Sequence, residues 1–347
     1  MTWIIDGHED LAFNAVVLGR DLTLPVAQIR EAEGEQPAHN EGVATVSLPA
    51  LRAADVRVVL ATLFTVPASV QSYGYHTPEE AHGQAMAQLS YYHVLHAHGE
   101  ATLIRSLKAL DAVVTGSLPR PGLVVLMEGA DPLRAPEDLE AFVEKGVRIV
   151  GPAWHGTRYA GGTREPGPLT DLGYALLREM DRLGVALDLS HLAEEACRQA
   201  LDVFPGRVVA SHANSRAIVP GDRQLTDDLL RAVAQRDGMV GLVCYNRFIR
   251  SDWTWAQGKA AVSLDDLVVH ARYIADLVGS RILALGSDLD GGIGREDVPR
   301  EIDTAADLPA IAGRLEAGGF ARDEVEAILH GNWLRVLREI LPDSEEG

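Results

Sequence analysis

The residues able to bind a metal ion or carry a proton fall in a few short motifs spread along the chain. They are His8, Glu9 and Asp10 in WIIDGHEDLA, Glu128 in VVLMEGAD, His191 in LDLSHL, His212 in VVASHAN, and Asp288 and Asp290 in ALGSDLDGG. Imidazole and carboxylate without cysteine make a donor set that suits Zn2+ or a similar first-row divalent ion. In extended backbone His8 and Asp10 face the same way while Glu9 points elsewhere, so those two can share an ion. His191 and His212, if carried by neighbouring strands, can hold a second. Glu128 has two oxygens and can bridge two ions roughly 3.5–4 Å apart; a water held between such ions loses a proton near neutral pH and becomes a nucleophile. A lone His-x-Asp is commonplace, but here five candidate ligands each follow an apolar run of strand length. Together they describe a binuclear hydrolase.

Motifs this far apart meet only if the fold sends the ends of many elements to one place. Apolar runs of strand length recur at WII (3–5), VRVVLATLF (56–64), LVVLM (123–127), VRIVGPAW (147–154), VALDLS (185–190), RVVAS (207–211), MVGLVCY (239–245) and ILALGS (282–287). Several are almost continuously Val, Ile and Leu, as strands buried on both faces are. Segments of helical period lie between them, over 78–99, 170–184, 192–204, 226–238 and 263–279. Each starts near Thr, Ser or an acidic group, and most run into a glycine. Strands alternating with helices in this way predict an α/β protein, a (β/α)8 TIM barrel of the metal-dependent hydrolase type, with residues 1–347 as a single domain. A doubly wound sheet is the alternative, but the chain lacks a phosphate-cradling glycine fingerprint. A barrel aims the C-terminal ends of all its strands at one mouth, where the candidate ligands stand. EAEGEQPAHNEG (31–42) and GTRYAGGTREPGP (156–168) read as loops, the second on the mouth side as a lid or pocket wall.

Bulk properties narrow the function further. The 347 residues carry 31 Lys plus Arg against 50 Asp plus Glu, a formal charge of -19. So acidic a surface excludes nucleic acid and anionic membrane as expected partners, because both need basic patches. The two cysteines, Cys197 and Cys244, lie far apart, which argues against a disulfide framework. The chain opens with no secretory pattern, and no apolar run approaches the roughly 20 residues of a membrane span, so a cytoplasmic protein is expected. His93, His96 and His98 have near-helical spacing away from any strand end and read as a helix surface. His39, His76, His82, His270 and His330 read as loop or helix-face residues.

With those motifs assembled, the chain resembles the membrane (renal) dipeptidase family, the M19 metallopeptidases. DGHEDL is close to that family's DGHNDL; EGAD, SHL, SHAN and SDLDG follow in order, and GNWLRV (331–336) looks like its GxNxLRV close. The resemblance implies a similar barrel with two Zn2+ per chain, cleavage of small dipeptide substrates, and a homodimer. By matching motif, His8 and Asp10 would bind one zinc, His191 and His212 the other, and Glu128 would bridge them. Asp288 would assist proton transfer at the scissile bond. Arg223, in DRQLTDD, would receive the substrate's C-terminal carboxylate, a task for which a planar guanidinium is suited. After the fourth strand the family places a histidine that polarises the substrate carbonyl. Register from GVR (146–148) puts Trp154 there, with His155 next to it. Either a one-residue bulge gives His155 that role, or zinc alone polarises the carbonyl; Trp154 itself reads as a packed pocket wall.

Three functions compete at this point. A zinc dipeptidase is the first. A related binuclear amidohydrolase acting on N-acyl amino acids or cyclic amides is the second; Mn2+ or Co2+ would serve either chemistry. Acidic groups near the mouth able to hold a substrate ammonium, Asp290 or Glu9, would favour the dipeptidase. Deacetylase and deaminase barrels usually open with His-x-His, whereas this chain has His-x-Asp. An inert barrel kept as a scaffold is the third, and it would be expected to have lost a ligand or Asp288.

Overall fold

The computed structural model describes residues 3–34, 41–118 and 120–344. Eight parallel strands form its centre: β1 (Ile4–Glu9), β2 (Val56–Phe64), β3 (Gly122–Glu128), β4 (Val147–Gly151), β5 (Ala186–Asp188), β6 (Val208–Ala210), β7 (Met239–Leu242) and β8 (Leu283–Leu285). Each pairs with its neighbours in chain order, and β8 pairs with β1. The barrel is therefore closed, a (β/α)8 TIM barrel with helices between the strands. β2 and β3 pair from Val58↔Gly122 through Phe64↔Glu128, which delivers Glu128 to the rim.

The alternation of side chains sorts the core into two layers. Ile5, Val58, Leu60, Val124, Leu126, Ile149, Ala186, Val209, Met239 and Ala284 come from all eight strands and pack as one cluster, which is the barrel interior. Their sequence neighbours Ile4, Val59, Leu123 and Val125 belong to the larger cluster that packs strands against helices. The interior cluster also takes in Leu110 and Val113 from the helix Leu107–Val114, and Trp333, Val336 and Leu337 from the helix Asn332–Ile340. These two helices close the floor, so the GNWLRV motif is a structural plug at the end opposite the candidate ligands.

That plug explains the glycine of DGH. Trp333 is fully buried and donates from Nε1 to the Leu285 carbonyl at 2.8 Å. A Cβ on Gly7 would lie 2.4 Å from Trp333 Cζ2 and 2.8 Å from that same carbonyl oxygen. Neither neighbour can yield, so Gly7→Ala is expected to destabilise the fold by about 1–3 kcal/mol through overpacking. Urea unfolding of the two proteins checks this.

Helices follow the expected segments closely: Pro78–Ala97, Asp171–Leu183, Glu194–Val203, Asp227–Gln235 and Leu264–Val278. Thr77, Thr170 and Thr226 cap their helices by accepting a backbone N–H three residues on, and Gly184 ends its helix in the left-handed conformation at φ 67°. Several expectations need correction. The first strand continues through Gly7 and His8 to Glu9, so His8 stands within it rather than after it. The fourth strand stops at Gly151, because Pro152 has no N–H for the ladder. Segment 156–168 is an antiparallel hairpin, Ala160–Gly162 with Glu165–Leu169, rather than a loop. Its glycines permit this pairing: a Cβ on Gly161 would meet the Gly167 nitrogen at 2.2 Å. Of the polar stretch 31–42, the first residues belong to the helix Val26–Glu33; His39 lies outside the described residues. His270 lies on the helix Leu264–Val278 and is fully buried there, with its ring nitrogens on the Ser215 amide and the Ile249 carbonyl. Cys197 and Cys244 are both free and buried. Among the described residues no helix is long and apolar enough to cross a membrane.

Candidate metal centre

The rim of the barrel brings His8 from β1, Glu128 from β3, His191 just past β5, and His212 just past β6 into one cluster. Glu128 Oε1 stands 3.5 Å from His8 Nε2, 3.2 Å from His191 Nε2 and 3.7 Å from His212 Nε2. The Nε2 atoms of His191 and His212 are 3.0 Å apart. Asp10 reaches in from the start of the next helix, its Oδ1 3.9 Å from His8 Nε2. Asp288, past β8, has Oδ1 3.9 Å from His8 Nε2 and Oδ2 4.0 Å from His212 Nε2. His191 and Asp288 both hold left-handed backbone, φ 65° and 60°, a conformation that non-glycine residues adopt only where the surroundings require it. Turning the chain sharply at the strand end is what aims each side chain inward.

A second layer fixes these groups. Ser211 Oγ lies 3.0 Å from His8 Nδ1 and 2.9 Å from His212 Nδ1, and its hydroxyl donates to Ser190 Oγ at 3.2 Å. Thr163 Oγ1, from the hairpin, lies 3.0 Å from His191 Nδ1. The Thr62 hydroxyl donates to Asp10 Oδ1. Asp6 Oδ1 accepts the Ser287 amide at 2.8 Å, and Asp188 Oδ1 accepts the amides of Ser190 and Ser211, both at 2.9 Å. These carboxylates stitch neighbouring strand ends together beneath the ligands.

The electrostatics call for a cation. Burial, with the neighbouring Glu128 charge, pushes the Asp10 carboxyl up to about 7. Burial raises Glu128 to about 8, partly offset by Arg223, and raises Asp288 well above the carboxylate range. Burial also holds His191 and His212 well below the usual imidazole value, so both are neutral and able to ligate. His8 Nε2 is buried without a hydrogen-bond partner. The potential ligand atoms of His8, Glu128 and His212 all lie within 4.8 Å of one another. Three imidazole nitrogens around buried carboxylate oxygens fit a divalent ion of the zinc type.

Above the cluster lies a cavity of about 280 Å3, lined by Asp10, Glu128, His191 and Asp288 on its floor. Arg223 forms one wall. It is buried, donates from Nη2 to the His212 carbonyl at 3.0 Å, and sits 5.5 Å from the Phe248 ring centre. Trp154 packs on His191 at 5.9 Å between ring centres. His155 also lines the cavity, but its Nδ1 lies 3.2 Å from Glu165 Oε2 on the hairpin. Asp290 and Glu9 are not at the cavity. The Asp290 carboxylate accepts the amides of Thr45 and Val46 and the Thr45 hydroxyl, while Glu9 is fully buried beside Ser287. Asp290 is held by backbone, and Glu9 is bonded through Oε1 alone, its Oε2 being buried without a partner.

Several cavity residues had no signal in sequence. Glu41, Gln71 and Tyr73 arrive on long connections after β1 and β2. Thr163 is hidden in the glycine-rich hairpin. Ser211 had one: each of His191 and His212 follows a serine, a doublet that marks the polar support beneath both imidazoles.

A closed parallel barrel with a buried His/Glu cluster at the C-terminal rim defines a hydrolase-type barrel built to hold metal. The chain belongs to the membrane dipeptidase family, peptidase family M19, whose model matches residues 1–345. An uncharacterized protein in the pqqA 5′ region of Klebsiella pneumoniae is 32% identical over 263 residues, which cover 73% of this chain and 94% of that protein. Dipeptidase aclJ of Aspergillus oryzae is 32% identical over 174 residues, but these span 50% of this chain and only 39% of that protein's length. Among solved structures, dipeptidase AC, a metallopeptidase of family M19, superposes with a TM-score of 0.80 at 24% identity, over 99% of each chain. A metallopeptidase from Rhodobacter sphaeroides, liganded with a phosphinate mimic of the dipeptide L-Ala-D-Ala, superposes with a TM-score of 0.78 at 23% identity, over 98% of this chain and 100% of that one. At those identities the structural likeness speaks for the fold.

Proposed function

We propose that this chain is a zinc-dependent dipeptidase acting through one catalytic domain. The observation that carries the reading is the cluster itself: three imidazole Nε2 atoms within 3.7 Å of Glu128 Oε1, on the floor of a cavity walled by the Arg223 guanidinium. His8 and Asp10 would hold one ion, His191 and His212 the other, with Glu128 between. When bound, a pair of zinc ions supplies Lewis acidity and brings the pKa of water to the neutral range. Arg223 binds the C-terminal carboxylate of the substrate in a bidentate fork and so orients the peptide. Its buried position limits how much chain fits beyond the scissile bond. Asp288 lines the same cavity, and burial makes it a strong proton holder, so it carries the proton to the leaving amine. Trp154 packs against His191 and keeps that imidazole in place; His155 sits further along the wall on Glu165.

The test is turnover of L,L and L,D dipeptides by zinc-reconstituted protein, with N-acetylated versions alongside. Free dipeptides should be cleaved, and Asp288→Asn should lower kcat about 10²–10⁴-fold while the bound zinc stays unchanged. Turnover confined to the blocked compounds would reject the dipeptidase in favour of an amidohydrolase on N-acyl amino acids.

A further inference from the structure

Glu41 lines the cavity beside Asp10 and Asp288, yet nothing in the proposed reaction uses it. Its Oε1 accepts the Tyr73 hydroxyl and, at 3.4 Å, the Gln71 amide. Its Oε2 accepts no hydrogen bond among the described residues, and no Lys or Arg there pairs with this carboxylate. The side chain sits over the turn after Asp288, where a Cβ on Gly292 would lie 3.4 Å from Oε2. A half-buried carboxylate, fixed through one oxygen and open at the other, is a prepared cation acceptor.

The surface leading to it is apolar and aromatic. Beyond His191, Trp154 stands 5.0 Å from Phe64, Phe64 stands 5.1 Å from Phe13, and Phe13 stands 6.2 Å from Tyr73, between ring centres. These rings share one cluster on the cavity wall. They form a shelf that starts at the candidate metal centre and ends at the residue holding Glu41. A long alkyl chain tipped with a positive charge matches such a surface: its methylenes lie along the rings and its head reaches the carboxylate. Arg223 takes the C-terminal end of the substrate in the proposed reaction, so the shelf is left for the N-terminal residue.

We propose that this shelf and Glu41 form the subsite for the N-terminal side chain and select Lys or Arg there. The proposal rests on the dipeptidase reading. Lysyl-alanine and norleucyl-alanine test it, since norleucine keeps the alkyl stem and lacks the charge. Wild-type protein should prefer the lysyl compound by about ten- to a hundredfold in kcat/KM. Glu41→Gln should bring that ratio close to one, and Tyr73→Phe, which frees the carboxylate without removing it, should lower it part of the way. Equal turnover of both dipeptides by the wild type, or an unchanged ratio in Glu41→Gln, overturns the subsite and leaves the dipeptidase standing. Turnover of neither dipeptide, with N-acetylated amino acids cleaved instead, overturns both.

Discussion

Glu128→Gln is expected to lower kcat/KM by at least about a thousandfold, the equivalent of about 4 kcal/mol of lost transition-state stabilisation. If the proposed two-zinc site holds, the same change should reduce bound zinc from two ions per chain towards one. Size is not the cause, because glutamine is nearly isosteric. Glu128 Oε1 is the one atom close to all three Nε2 atoms, 3.5 Å from His8, 3.2 Å from His191 and 3.7 Å from His212. An amide at that point removes the negative charge two cations would share and turns an N–H2 group towards one of them. Metal content by atomic absorption, measured beside kinetics, separates this role from a structural one. Full zinc occupancy with near-normal turnover in Glu128→Gln would show that the carboxylate does not bridge.

Stripping the metal is expected to make stability fall steeply with rising pH. In the metal-free protein burial sets Glu128 at about 8 and Asp10 at about 7, against ordinary values of 4.5 and 3.8. The folded chain then keeps protons that the unfolded chain has released, so each step up in pH through that window favours unfolding. His191 and His212 act at the acid end. Held below 6.5 when folded, they stay neutral while the unfolded chain takes up protons, so below about 6.5 they oppose the gain in stability that the carboxylates give on acidification. Between pH 6.5 and 8.5 only the carboxylate effect operates. It amounts to several kcal/mol, because every tenfold gain in proton affinity on folding is worth about 1.4 kcal/mol. Zinc bound as proposed would neutralise those carboxylates and flatten the curve, besides stabilising the fold by mass action. Urea midpoints at pH 6.5 and 8.5, with and without chelator, measure the difference. Parallel curves would mean that the cluster does not hold the ion.

The barrel was legible because its strands are buried on both faces and therefore read as continuous Val, Ile and Leu runs, and because Thr caps and terminal glycines bound the helices. Two of the misread segments fail for local reasons. Pro152 cut the fourth strand short, and close glycine–glycine approach let 156–168 pair as a hairpin where composition suggested a loop. At the site, residue type and strand-end position pointed to His8, Asp10, Glu128, His191 and His212, since a barrel fixes where strand ends go, while only the family resemblance picked Asp288 over Asp290. What borders the cavity above them was hidden. Glu41, Gln71 and Tyr73 sit on long connections whose paths are set by tertiary packing, and no periodicity records that. Asp290 and Glu9 misled for the opposite reason: their type and place suited a ligand contact, but backbone amides and Ser287 had already engaged them.

Ser211 has a consequence for how the two imidazoles behave. Its hydroxyl proton goes to Ser190, whose own hydroxyl goes to the His212 carbonyl at 3.4 Å, an oxygen with no hydrogen to return. The direction of the whole relay is fixed by that dead end. Ser211 is then left to accept from Nδ1 of His8 and of His212, which turns Nε2 of each ring towards Glu128. One serine thereby orients two residues 204 positions apart in the chain. The two candidate ligands therefore share one anchor, and a change at Ser211 reaches both rings at once.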